Sequence, residues 1–297
     1  LSVQNYGARL SHLRRIAVAS GAKCRKTTAR QLYASHFGYI CPYETPEGET
    51  VGLVENLALS TEITEDIHSS EVFAVVSKFT SFREEIKYKT LLILNGTLIG
   101  SCVNGLDFKR EFESFRRSDL LDDRISFVWL HHSDEIHIES DAGRFVRPLF
   151  AISNDNKLLY EVGSSWTEAI SKRWIVFRAP WELEQVVVAV DASDLKRNKC
   201  EYMEICPAAT MMGVMASVIP LANHSQSPRI SYQASMGKQA MGTPLQSFRY
   251  RYDTTMHLLD YPQEPIAKSE MINILKFNEM SHGCLPIVAI MTYCGFN

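Results

Sequence analysis

Between Ser225 and Gly242 the chain is polar but nearly uncharged, with Arg229 and Lys238 as its only formal charges. An ordinary amphipathic helix carries Glu and Lys on its outer face; here the amides Gln226, Gln233 and Gln239 take that place. Pro228 suits the first turn of a helix. Arg229, Tyr232, Met236 and then Gln239 or Ala240 follow at three- and four-residue spacing, so a helix puts them on one face. Arg229 offers a planar fork of donors matched to phosphate oxygens. Gln233 and Gln239 can donate to phosphate or sugar without excess charge. Lys238 follows Gly237, where backbone can approach a ligand closely. The plainer reading makes Met236 and Tyr232 core residues, but it leaves the polar set without a purpose.

A second segment, Gly38 to Gly52, contains Cys41-Pro42-Tyr43-Glu44-Thr45-Pro46-Glu47-Gly48. Two prolines and Gly48 specify a rigid turn that presents Glu44 and Glu47 at a defined place. Alone, such a turn would carry solvated carboxylates. Further upstream, Arg9, Arg14, Arg15, Lys23, Arg25, Lys26 and Arg30 make residues 1–31 strongly basic, with no Asp or Glu among them. That is a sensible neighbour for phosphates, although the net charge of the whole chain is −3.

The chain has room for one large domain or two to three small ones. Its longest apolar runs, Val186–Val190 and Ile287–Met291, are far shorter than a membrane span of about 20 residues. The seven cysteines show no paired zinc spacing and read as reduced, buried thiols of an intracellular protein. Leu1 at one end and Gly295-Phe296-Asn297 at the other give the expectation of a piece of a longer protein.

Periodicity predicts a helix over Gln4 to Ile16 and a loop around Ser20-Gly21. Strand character is expected at Glu71–Thr80 and Thr90–Ile99, with Asn95-Gly96 as a hairpin signal. A helix is expected at Phe108–Leu120, and strands at Ser126–Leu130, Glu135–Glu139 and Val146–Ile152. Further on come a helix at Ser164–Arg173 and strands at Trp174–Phe177 and Gln185–Val190. The last expectations are a helix opened by Pro207, with Met211, Val214, Met215 and Val218 as its stripe, and a strand at Ile287–Tyr293.

Glu44-Thr45-Pro46-Glu47-Gly48, preceded by Cys41-Pro42 and followed by Gly52-Leu53-Val54 and Asn56-Leu57, resembles the fork region of the second-largest subunit of multisubunit DNA-dependent RNA polymerases. Ser227-Pro228-Arg229, Tyr232-Gln233 and Met236-Gly237-Lys238-Gln239-Ala240-Met241-Gly242 resemble its eukaryotic, archaeal and large-DNA-virus forms. Ser11-His12-Leu13-Arg14-Arg15, Asp141-Ala142-Gly143-Arg144 and Arg251-Tyr252-Asp253-Thr254 extend the resemblance along the chain in order. Tyr33 and Cys206 stand where the family usually has His, Leu221-Ala222-Asn223 lacks the usual acidic residue, and the stretch from 150 to 200 is short. These departures suggest a divergent lineage, with a viral one among the options.

The resemblance implies a multi-domain α+β fold. Its parts are a fork over 1–60, external domains over 61–140 and 141–205, and the start of a β-rich hybrid-binding domain over 206–297. It implies nucleotidyl transfer by a complex that includes the largest subunit, which holds most of the magnesium coordination, and smaller subunits. DNA template, nascent RNA and nucleoside triphosphates are the implied ligands. The implied location is the nucleus for a cellular enzyme, or the infected host cell or virion for a viral one. Arg229 is expected to contact the nucleotide phosphates, with Gln233 beside it. Lys238 and Gln239 are expected to line the RNA end, and Arg30 and Gln31 to face downstream nucleic acid and the nucleotide. Glu44, Glu47 and Tyr232 are expected to fix the geometry, so the Pro42–Gly48 turn should lie against Ser227–Gly242. By itself the chain is expected to be inactive, because the family's downstream acidic pair lies beyond the matched residues. Two alternatives are a non-catalytic nucleic-acid-binding paralogue and a single-chain polymerase-like core.

Overall fold

The computed structural model describes residues 3–17, 26–153, 155–206 and 210–295, which fold as an α+β protein. The loop expected around Ser20-Gly21 and the helix start at Pro207 lie outside these residues. The chain forms two compact units. One comprises Leu1–Leu32, Ile40–Leu59 and Met212–Asn297; the other comprises Tyr33–Tyr39 and Ser60–Met211.

The first unit opens with helix α1 (Tyr6–Leu13), whose N-cap Asn5 accepts a hydrogen bond from Ala8 N at 2.8 Å. The helix is shorter than the sequence predicts. Arg14 leaves helical geometry, and Arg15–Ala17 becomes strand β1, paired antiparallel with β2 (Val54–Asn56). A ladder partner distant in sequence has taken two residues, Arg15 and Ile16, that local periodicity assigned to the helix. Ile40 and Leu57 add an isolated antiparallel bridge beside it.

The second unit begins with β3 (Glu62–Ile63) and α2 (Ser69–Val76). The helix α2 replaces the strand expected at Glu71–Thr80. Its valines favour a strand by propensity, but Val72 and Val76 are four apart and both are buried in one aromatic cluster, so packing decides. Next come β4 (Phe82–Arg83), β5 (Thr90–Leu94) and β6 (Thr97–Cys102). β5 and β6 form the expected hairpin, with Asn95 at φ 46° and Gly96 at φ 77°.

Helix α3 (Gly105–Arg117) is capped by Asn104 and buries Phe108, Phe112 and Arg116, one every fourth residue. Strands β7 (Ser126–Leu130) and β8 (Glu135–Glu139) match the expectation and complete a sheet of order β4-β6-β5-β8-β7. Burying each Phe of α3 against that sheet contributes about 1.5–3 kcal/mol.

Strand β9 (Phe145–Ala151) leads to α4 (Trp166–Ser171), β10 (Ile175–Arg178), α5 (Pro180–Leu183), β11 (Val188–Ala189) and β12 (Tyr202–Met203). Their sheet runs β10-β9-β12-β11, with β3 also on β9. Buried charges tie the unit together. Arg178 meets Asp123 at 2.7 Å, Arg116 meets Glu182 at 2.7 Å, and Arg147 pairs with Glu204. Burial raises the pKa of the Asp123 carboxyl, but the Arg178 and Arg116 charges and the hydrogen bonds from Arg178 and Phe177 outweigh it. The net shift is below the ordinary carboxylate value.

Back in the first unit lie α6 (Val214–Ser217), α7 (Ser227–Gln239) and α8 (Met271–Ile274). Val214, Met215, Ala234, Ile272 and Phe277 form its core, with Tyr6 and Leu10 of α1 packed against them. Two expectations fail here. Residues 210–295 hold no strand among the described residues, so the β-rich character expected after 206 is absent. Ile287–Tyr293 is exposed and pairs with no segment among the described residues, so it forms no strand. The thiols also differ from expectation: Cys41, Cys102 and Cys200 are buried, but Cys206, Cys284 and Cys294 are exposed, and all six are free.

Candidate functional site

Thr45 closes the turn that carries the two glutamates. Its Oγ1 accepts from Gly52 N at 2.9 Å and donates to Val54 O at 3.0 Å. Gly52 sits at φ +71°, and a Cβ there would lie 2.6 Å from Arg30 O, so only glycine lets the two strands of chain approach. Arg30 Nη1 donates to Glu49 O at 2.7 Å and Val51 O at 2.8 Å, binding the basic segment to the turn. Gln31, next to it, is exposed.

The turn divides the two carboxylates. Glu47 points to solvent, whereas Glu44 is buried, unlike the solvated group that a Pro-Glu-Gly turn alone suggests. Glu44 accepts from Ser11 Oγ and from Lys238 Nζ at 3.3 Å. Asn56 Nδ2 donates to the Glu44 carbonyl at 3.0 Å. Burial raises the pKa of the Cys41 thiol, which favours its neutral form.

Helix α7 folds as predicted, with Pro228 in its first turn, but its faces differ from the plain reading. Ile230, Ala234 and Gly237 form the buried stripe. Met236 is 56% exposed and Tyr232 40% exposed, so neither is a core residue. A Cβ on Gly237 would lie 3.0 Å from Met215 Cε, a close approach that seats the helix on α6.

On the outer face, Glu47, Arg229, Tyr232, Gln233, Met236 and Gln239 line a cavity of about 810 Å³. The Arg229 guanidinium lies 5.7 Å from the Tyr232 ring centroid. It has no carboxylate within ion-pair distance among the described residues, so its charge is available to an anion. The expected approach of Pro42–Gly48 to Ser227–Gly242 is therefore present, in the Glu44–Lys238 pair and in the shared cavity.

Lys238 and Gln239 turn toward a second cavity of about 400 Å³, where His12 and Arg15 join them. Arg30 and Gln31 line neither. Ser11 and Asn56 belong to stretches that carry the resemblance, but the sequence assigns them no role at the site, and Asn5 lies inside the helix predicted from Gln4.

Among the described residues no three His, Cys, Asp or Glu side chains form a group that could hold a metal ion. Glu44 is paired with Lys238, and Glu47 is the one carboxylate on the wall of the larger cavity among those residues. These residues do not fit the implied magnesium. No described helix is long and apolar enough to cross a membrane.

Three sequence models of one family match in order: RNA polymerase Rpb2, domain 3 over 1–63, domain 4 over 92–153 and domain 6 over 215–297. The chain is 33% identical to the DNA-directed RNA polymerase subunit Rpo2 of Sulfolobus acidocaldarius, over 99% of its own length and 28% of that protein's. It is 36% identical to a putative DNA-directed RNA polymerase II subunit RPB2 homolog of Frog virus 3, over 100% of its length and 25% of the relative's. It is 33% identical to the DNA-directed RNA polymerase II subunit RPB2 of Encephalitozoon cuniculi, over 100% and 28%. The chain thus spans about a quarter of the length of the curated relatives it matches. With the same ordered motifs now seated on one helix and one turn, the chain belongs to the second-largest-subunit (Rpb2/Rpo2) family of DNA-directed RNA polymerases.

Proposed function

We propose that this chain contributes to the nucleotidyl-transfer centre and the RNA–DNA hybrid surface of a multisubunit DNA-directed RNA polymerase. The observation that carries the reading is the cavity on α7, where Arg229 makes no ion pair among the described residues and shares the wall with the amides Gln233 and Gln239, the Tyr232 ring and a single carboxylate, Glu47. Such a wall suits a triphosphate: one fork of donors for the phosphates, and neutral amides that donate without trapping the ligand by charge.

In this reading Arg229 contacts the phosphates of the incoming nucleotide, with Gln233 beside it. Glu47 and Tyr232 hold the surroundings of Arg229. Lys238, fixed by Glu44, and Gln239 line the RNA end. Arg30 and Gln31 act toward downstream nucleic acid through the turn that Arg30 pins. Residues 1–60 serve as fork, 61–140 and 141–205 as external domains, and 206–297 as part of the hybrid-binding domain. The largest subunit supplies the main magnesium ligands, and smaller subunits complete an enzyme that works on DNA, RNA and nucleoside triphosphates inside the cell.

The test is elongation by polymerase assembled with Arg229→Ala in the complete subunit. A large loss of rate with normal assembly supports the reading. An unchanged rate sinks it.

A further inference from the structure

An α-helix leaves the carbonyls of its last turn without intrahelical donors, and something else must satisfy them. A common device is a left-handed glycine just past the helix. Helix α7 does not use it: Ala240 follows Gln239 in an extended conformation, at φ −65° and ψ 137°. The donors come instead from one side chain at the other end of the sequence. Asn5 Nδ2 donates to Gly237 O at 2.8 Å and to Ala240 O at 2.7 Å. The backbone beside it adds a third tie, Gly242 N to Gln4 O at 3.2 Å.

Asn5 is 0% exposed, and its Oδ1 is simultaneously the N-cap of α1. One planar amide therefore ends one helix and begins another, with its donors and its acceptor both engaged. The residues framed by its two α7 contacts are Lys238 and Gln239.

We infer that Asn5 is a positioning residue for the active centre, acting through the last turn of α7 to aim Lys238 and Gln239; this rests on the functional reading above. The Glu44 pair restrains the Lys238 ammonium from one side, and Asn5 restrains the backbone that carries it. Neither contact touches the Arg229 end of the helix. Loss of Asn5 donors should therefore disturb the RNA end and spare nucleotide binding.

Two substitutions separate the donor role from the cap role. Asn5→Ser keeps an N-cap acceptor for α1 but cannot reach the α7 carbonyls. Asn5→Asp keeps the cap and sets a carboxylate against two carbonyl oxygens. In polymerase assembled with the complete subunit, Asn5→Ser should lower the maximal elongation rate per active complex on the order of tenfold, with nucleotide KM within about twofold. Asn5→Asp should be slower still. If Asn5→Asp equals or exceeds Asn5→Ser, or if either elongates at the parental rate while Arg229→Ala is slow, the positioning role is overturned and the reading of the cavity stands. A parental rate for Arg229→Ala overturns both. Where a variant does not assemble, hydrogen exchange on the chain itself decides. Faster exchange at Gly242, whose amide bonds the Gln4 carbonyl, with α1 still protected supports the role, and equal loosening of α1 overturns it.

Discussion

Lys238 and Glu44 are 194 positions apart in the chain and meet at 3.3 Å, with the Glu44 side chain 1% exposed. This pair brings the fork-like turn to the end of α7. Removing one member of a buried pair leaves an uncompensated charge, which costs more than the pair contributes. Glu44→Gln keeps the shape but loses the charge. It should destabilise the chain by about 1–3 kcal/mol, read as a lower urea midpoint at unchanged slope.

Arg229→Ala should slow elongation roughly a hundred- to a thousandfold, as expected for loss of a preorganised donor that strengthens at the transition state. Arg229→Lys should recover only part of that, because an ammonium cannot reproduce the planar fork. The residue is exposed and alanine is a good helix former, so far-ultraviolet circular dichroism should not change. A variant that fails to assemble would point instead to a structural role.

Asp123 controls the acid stability of the second unit. Its folded-state pKa is depressed, so its contribution is fully present above the ordinary carboxylate value of about 3.9 and is lost as pH falls through the lower folded value. Asp123→Asn should cost about 3 kcal/mol near neutral pH, because buried Arg178 then keeps only the longer 3.8 Å contact to Glu182, which Arg116 already shares. The deficit relative to the parent should shrink below pH 4 in pH-dependent unfolding.

The chain by itself should not extend an RNA primer in the presence of magnesium. In the proposed reading the largest subunit supplies the main magnesium ligands, so in the chain alone the charge of the reacting phosphate would go unneutralised. Primer extension by the purified chain would refute this.

The two candidate segments were legible in the sequence because their chemistry is local. A proline-led run of amides with a lone arginine makes poor core and unusual surface, and it folded as the helix its spacing predicted. The hairpin at Asn95-Gly96 and the strands Ser126–Leu130 and Glu135–Glu139 were legible for the same reason: turn residues and alternation act over a few positions. Glu71–Thr80 and Ile287–Tyr293 were not. In both, β-branched residues signal strand, yet a strand exists only where another segment completes its hydrogen bonds.

By itself the sequence determined which residues could donate to a phosphate, and that Arg229, Tyr232, Met236 and Gln239 would share one helical face. Tertiary structure decided which of them are buried and what holds them: Glu44 inside and Glu47 outside, Met236 and Tyr232 outward, and Asn5 bridging the ends of two helices. Local periodicity fixes only relative direction along an element. Burial and pairing depend on which distant segment arrives opposite, and that is a property of the packed core.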